Sequence, residues 1–146
     1  MSEAPESLHG VVRGLHHVAV VVPDLEEARL LWADSLGLAA TVPEEVPDQK
    51  VRVLVLFAGS ERIELVQPTG EDSPVSRFLA KGGGIHHLAW RVEDVGAAIA
   101  TLKERGVRLI DESPRPGSHG TRIAFVHPKA TGGVLMELVE DPAFLP

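Results

Sequence analysis

Two pairs of adjacent histidines and two glutamates set in apolar runs are the residues of this chain best suited to chemistry. His16-His17 lies in Gly14-Leu15-His16-His17-Val18-Ala19, and 70 residues later His86-His87 lies in Gly84-Ile85-His86-His87-Leu88-Ala89. Glu64 sits in Ile63-Glu64-Leu65-Val66, and 73 residues later Glu137 sits in Met136-Glu137-Leu138-Val139. Imidazole nitrogens and carboxylate oxygens together suit a divalent first-row metal that keeps positions open for substrate oxygens. Two carboxylates packed together without a cation repel and raise one pKa; a bound metal removes that cost.

The elements that position these residues follow from the same repeat. Val22-Pro23-Asp24-Leu25 matches Val92-Glu93-Asp94-Val95, and Gly37-Leu38 matches Gly106-Val107. Four matches in one order point to a duplicated module. Leu15 to Val22 is β-branched and apolar and reads as a strand ended by Pro23. Asp24 with Glu27 opens a helix in a capping-box pattern, with Leu25, Ala28, Leu31, Trp32 and Leu36 on one face. Gly37 stops it. In the second copy the strand is Ile85 to Val92, the cap Asp94, and the helix runs through Ile99 and Leu102 to Gly106. Further strands are expected near Ala39 to Val42, at Val51 to Ala58 and Arg62 to Gln67, joined by the turn Ala58-Gly59-Ser60-Glu61. The second copy repeats them at Val107 to Ile110, Thr121 to His127 and Val134 to Val139. The fold class is α+β: tandem βαβββ modules in a single domain over residues 1–146. Module one covers about 14–67, the connection 68–84 holds a short helix at Ser76 to Ala80, and module two covers about 85–140.

Side chains alternate across a strand. The bulkier set of Val18, Val20 and Val22 goes to the helix side, which leaves His17 with small Ala19 on the open face. His87 and Ala89 follow the same logic, as do Glu64 and Glu137 in the late strands. Two modules related by an approximate two-fold axis then bring His17, Glu64, His87 and Glu137 together in a cleft. Alternation turns His16 and His86 away from it. His9 falls in an N-terminal tail. His119 and His127 lie in or next to a Gly-rich loop, where ligand contact and solvent exposure are both open to them.

Composition narrows the classes of function. Fourteen basic residues against 21 acidic ones, a net charge of -7, oppose nucleic-acid binding. Apolar runs such as Val18 to Val22 fall far short of the roughly 20 residues that span a bilayer, so no membrane partner is expected. The absence of cysteine excludes disulfides and thiolate metal sites. The acidic segment Met1 to Ser7 lacks the basic and apolar regions of a signal peptide. A cytoplasmic location is therefore expected.

The double-His segments, Ser73-Pro74-Val75-Ser76-Arg77-Phe78-Leu79-Ala80-Lys81, and Phe125-Val126-His127-Pro128-Lys129 followed by Gly133-Val134-Leu135-Met136-Glu137 resemble the vicinal oxygen chelate superfamily. Within it they are most similar to the methylmalonyl-coenzyme A epimerases. The resemblance runs from about Gly14 to Glu140. It implies paired βαβββ modules around one divalent metal ion per chain, Co2+ or Mn2+ first, with Zn2+, Ni2+ or Mg2+ as alternatives. It implies His17, Glu64, His87 and Glu137 as metal ligands, with Glu64 and Glu137 also as catalytic acid and base. The implied reaction interconverts the (R) and (S) forms of methylmalonyl-CoA by proton transfer at C2 through a metal-stabilised enolate, in a homodimer. Some of these epimerases carry Gln at the position of Glu64 and a glutamate base at the position of Val53. Val53 cannot transfer a proton, so here Glu64 is expected to take up that task. Arg115, His119, Arg122 and Lys129 are candidate anchors for coenzyme A phosphates. Other readings of the same fold are a glyoxalase-I-type lactoylglutathione lyase, an iron dioxygenase using two His and one Glu, and a metal-free small-molecule-binding module.

Overall fold

The computed structural model describes residues 10–143; His9 and the segment Met1 to Ser7 lie outside them. Module one comprises β1 (Val12–Val21), α1 (Leu25–Arg29) continuing into a π-helical stretch (Leu30–Ser35), β2 (Ala39–Ala40), β3 (Glu44–Val46), β4 (Val51–Ala58) and β5 (Glu61–Pro68). The connection holds α2 (Ser76–Ala80). Module two comprises β6 (Gly84–Val92), α3 (Val95–Glu104), β7 (Arg115–Pro116), β8 (Arg122–Val126) and β9 (Met136–Glu140).

The strands form one mixed sheet, ordered β2-β4-β5-β1-β6-β9-β8-β7, with β3 also on β4. In each module the first strand pairs in parallel with the last, β1 with β5 and β6 with β9. Parallel neighbours need a long crossover, and the helix supplies part of it. The modules join where β1 runs antiparallel to β6. The hairpin between β4 and β5 turns through Gly59, whose φ of +66° suits a glycine.

Both helices start on the predicted cap. Asp24 Oδ1 accepts from the amides of Glu26 and Glu27 at 2.8 and 3.2 Å, and Asp94 Oδ1 accepts from Ala97 N at 2.9 Å. A repeat-related contact ties each helix to the last strand of its module. Leu25 N donates to Gln67 Oε1 and Val95 N to Glu140 Oε1, both at 2.9 Å. On the helix side Leu25, Leu54, Leu56 and Leu65 form one core, and Val95, Ile99, Ala124 and Leu138 another. The opposite face carries Ala19, Val21, Val53 and Val66, and beyond the module join Ala89, Ile123 and Val139.

Two expectations are corrected. The first helix does not bury Leu31 and Leu36, which are 58% and 63% exposed. Leu36 N bonds Leu31 O at 3.0 Å, a five-residue step that rotates the last turn and buries Ala33 instead. Val107 to Ile110 is not a strand: it makes one isolated bridge, Leu109 with Val126. Asp111 ends further pairing there, because its Oδ2 takes Phe125 N at 2.9 Å. The late strand starts at Met136 rather than Val134, after Gly132 and Gly133 with φ of +74° and +101°.

Ala19 and Ala89 are fully buried and lie on either side of the module join. Ala19 is flanked by Glu64 on β5 and His87 on β6; Ala89 is flanked by His17 on β1 and Glu137 on β9. A larger side chain has no space at either position. Ala89→Leu is expected to lower stability by about 1–3 kcal/mol through overpacking, measured by chemical denaturation. An unchanged midpoint would show that this layer has slack.

Candidate metal centre and its cleft

The ladder register builds the site. Two rows cross the open face, Glu64–Ala19–His87 and His17–Ala89–Glu137. Each row places one imidazole and one carboxylate on either side of an alanine, so all four long side chains lean over the small pair. His17, His87 and Glu137 are buried, and the Glu64 side chain is 13% exposed.

One ligand atom each from His17, His87 and Glu137 lies within 4.8 Å of the other two. Glu137 Oε1 is 3.4 Å from both His17 Nε2 and His87 Nε2, and Glu64 Oε2 is 3.6 Å from His17 Nε2. Both Nε2 atoms are buried without a hydrogen-bond partner. Buried imidazole nitrogens facing carboxylates at these separations fit a cation, which would satisfy the nitrogen lone pairs and both acids together. The donor set of two nitrogens and up to two carboxylates suits a divalent transition metal.

Burial pushes the His17 imidazole down to about 4, so it is neutral near pH 7. Glu64 is pushed up to about 7, first by burial and then by the Glu137 charge. Burial also works to raise Glu137, but the neighbouring His87 and His17 outweigh it and hold that carboxyl below its ordinary value. Two repeat-related glutamates thus have their pKa values driven apart, a pattern common where one group must accept a proton and another must stay charged.

Alternation fails at His16 and His86. The β1–β6 register skips each of them, between the Leu15 and His17 pairs and between the Ala19 and Val20 pairs. Such a bulge re-aims a side chain. His16 Nδ1 therefore lies 2.8 Å from His17 Nδ1, and His86 Nδ1 lies 2.8 Å from His87 Nδ1. Repeat matching found both pairs; only the register could reveal the bulges.

The cleft has two chambers. One of about 330 Å³ is walled by Val51, Val66, Val75, Phe125 and Leu135 and reaches Glu64 and His87. A smaller one of about 160 Å³ touches His17, Glu64, Arg62 and Ser118. Val53 walls a space of about 20 Å³ together with His17, Glu64 and Glu137. Larger open depressions along α3 and α2 bring no histidine together with a carboxylate. The loop after β7 roofs the cleft and latches onto module one. Ser118 Oγ reaches Glu64 Oε2 at 3.5 Å, His119 N donates to Glu44 Oε2 at 2.8 Å, and Arg115 Nε donates to Asp48 at 2.9 Å. Gly117 packs so tightly that a Cβ there would clash with Thr121 and Ile123. Of the candidate phosphate anchors, Arg115, His119 and Arg122 already contact carboxylates, while Lys129 is exposed. Glu44, paired across from Val53, was not singled out in the sequence because nothing in its own segment marks it.

The paired modules and their shared cleft define a class. A family model described as the glyoxalase/bleomycin resistance protein/dioxygenase superfamily matches residues 16–125. An ethylmalonyl-CoA/methylmalonyl-CoA epimerase of Cereibacter sphaeroides is 43% identical over 127 residues, covering 85% of this chain and 95% of the relative. The structure of a methylmalonyl-CoA epimerase from Mycobacterium tuberculosis superposes with a TM-score of 0.86 at 41% identity, covering 90% of each chain. A methylmalonyl-CoA epimerase in complex with methylmalonyl-CoA and NH4+ gives 0.84 at 35% identity, covering 92% of this chain and 97% of the other. The chain belongs to the methylmalonyl-CoA epimerase family of that superfamily.

The raised Glu64 pKa gives metal binding a testable pH dependence. Below pH 7 the metal-free carboxyl keeps its proton, and ligation as carboxylate must expel it. Affinity should therefore fall as pH drops below 7, by up to about tenfold per unit for one proton. His17, already neutral down to about 4, adds nothing in this window. Zn2+ titration calorimetry in buffers of different ionisation enthalpy should report about one proton released per ion at pH 6 and nearly none at pH 8. Equal release at both values would remove Glu64 from the binding event.

Proposed function

We propose that this protein epimerises methylmalonyl-CoA, with Glu64 and Glu137 as the acid–base pair at C2 and with His17, His87, Glu137 and Glu64 holding one divalent ion, Co2+ or Mn2+ first. The observation that carries this reading is the placement of two glutamates, one from each module, about a shared pair of buried imidazoles. When bound, the ion supplies Lewis-acid stabilisation of the negative charge that develops on the thioester oxygen as the C2 proton leaves. One glutamate takes the proton from one face of C2, and the other returns a proton to the opposite face. The bond to hydrogen breaks and re-forms with inverted configuration, with no oxidant and no hydrolysis. Val53 offers no proton, so Glu64 combines the roles of ligand and base. The apolar walls of the larger chamber, Val66, Val75 and Phe125, exclude water from the acyl group. A homodimer in the cytoplasm is the setting this reading favours.

Two experiments test it. Elemental analysis of His17→Ala and His87→Ala should show marked loss of bound divalent metal with the fold intact by circular dichroism; full retention in both variants would remove these ligands. Incubating each pure epimer of methylmalonyl-CoA in deuterated water should give wash-in of deuterium at C2. Glu64→Gln keeps the shape and one ligand oxygen but loses basicity. It should slow wash-in by about 10²–10⁴, and should affect the two epimers differently from Glu137→Gln. Parent-rate exchange of both epimers by metal-loaded Glu64→Gln would leave Glu64 as a ligand only.

A further inference from the structure

His16, Arg62 and Asp141 form a buried polar cluster behind the candidate metal centre, outside the set of groups that hold the ion or touch C2. Asp141 follows the end of β9, and its side chain is 7% exposed. Asp141 Oδ2 lies 2.8 Å from His16 Nε2 and 3.0 Å from Arg62 Nη1. Arg62 also stacks over Phe57, with its guanidinium carbon 5.5 Å from the ring centroid. On the other side of the His16 ring, Nδ1 is 2.8 Å from His17 Nδ1. His17 Nε2 then faces Glu137 and Glu64.

The protons along this line are fixed by elementary bonding rules. An ionised carboxylate only accepts hydrogen bonds. His16 Nε2, 2.8 Å from Asp141 Oδ2, therefore carries a proton and donates it. Arg62 Nη1, 2.8 Å from that same nitrogen, donates to the same oxygen. The reverse assignment would set an imidazole lone pair against an ionised carboxylate. A neutral His16 with its proton on Nε2 presents a lone pair at Nδ1. Only a proton on His17 Nδ1 can meet that lone pair across 2.8 Å. His17 Nε2 is left bare, aimed into the cleft as a ligand atom must be.

We propose that Asp141 and His16 form a hydrogen-bonded relay that locks His17 in the Nδ1–H tautomer and so holds its Nε2 lone pair ready for the metal, with Arg62 fixing Asp141. These are positioning residues, since they act through His17, and their effect on metal affinity rests on the metal reading above. Carboxylate or carbonyl partners of ligand histidines commonly orient the ring and raise its basicity, and losing them costs about 10–100-fold in affinity. Here a second imidazole is interposed, made possible by the bulge that places His16 beside His17. The relay belongs to module one: His86 sits beside His87 in the same way but packs edge-on against Phe78, with ring centroids 4.8 Å apart.

The test reads the tautomer directly. In metal-free protein labelled with 15N-histidine, long-range 1H–15N correlation should show His17 protonated at Nδ1 and His16 at Nε2. His16→Leu should shift His17 toward a mixture with Nε2–H and weaken Zn2+ binding by about 10–100-fold, with the melting transition still cooperative. Asp141→Leu, two bonds of the relay away from the ion, should act in the same direction. Asp141→Asn keeps an accepting oxygen and should restore the His17 tautomer and most of the affinity. A proton on His17 Nε2 in the parent protein, or an unchanged tautomer in both leucine variants, overturns the relay. Failure of the parent protein to bind Zn2+ would sink the metal reading instead, while the nitrogen spectra still decide the relay.

Discussion

The antiparallel pairing of β1 with β6 is the constraint on which the site depends. Its register sets His17 opposite Ala89 and Ala19 opposite His87. Because β5 and β9 then run parallel to these strands, Glu64 falls beside Ala19 and Glu137 beside Ala89. A slip of one residue would send every one of these side chains to the helix side. The hydrophobic sets on the two faces oppose such a slip: Val20, Leu65 and Leu54 pack under the module-one helix, whereas Ala19, Val53 and Val66 pack on the cleft side. The register that buries the leucines is thus the one that assembles the imidazoles and carboxylates.

That register explains why so much was legible in the amino-acid order. The repeat located both copies of the module, and alternation alone chose His17, His87, Glu64 and Glu137 for one face. The helix caps at Asp24 and Asp94 and the turn at Gly59 follow from local chemistry and stand where expected. What escaped were features set by long-range fit. The bulges at His16 and His86 exist because two strands of unequal local spacing must stay in register. The π-helical step after Arg29 exists because Ala33, not Leu31, fits against the sheet. Asp141 and Arg62 lie 125 and 46 residues from His16, and no periodicity links them.

Burial gives the cluster both its ligand quality and its tension. Neutral imidazoles with bare Nε2 atoms and two nearby carboxylates make a poor arrangement without a cation, since lone pairs and charges face each other in a space shielded from water. The protein tolerates this because the surrounding sheet is fixed by cores that do not involve the cluster. Much of the cost falls on Glu64, whose pKa rises to about 7.

The duplication makes the two glutamates equivalent in position, and later contacts make them unequal. The β7–β8 loop of module two crosses to module one, where Ser118 meets Glu64, His119 meets Glu44 and Arg115 meets Asp48. Glu137 instead shares its oxygen with two imidazoles. A proton exchange that inverts one carbon needs a group on each face, which the approximate two-fold axis supplies. It also needs those groups to differ in proton affinity, so that one is charged and the other protonated when substrate arrives. The roof loop and the imidazoles break the symmetry in that sense, and Val53, an apolar wall where relatives have a glutamate, leaves Glu64 and Glu137 as the pair on which the difference acts.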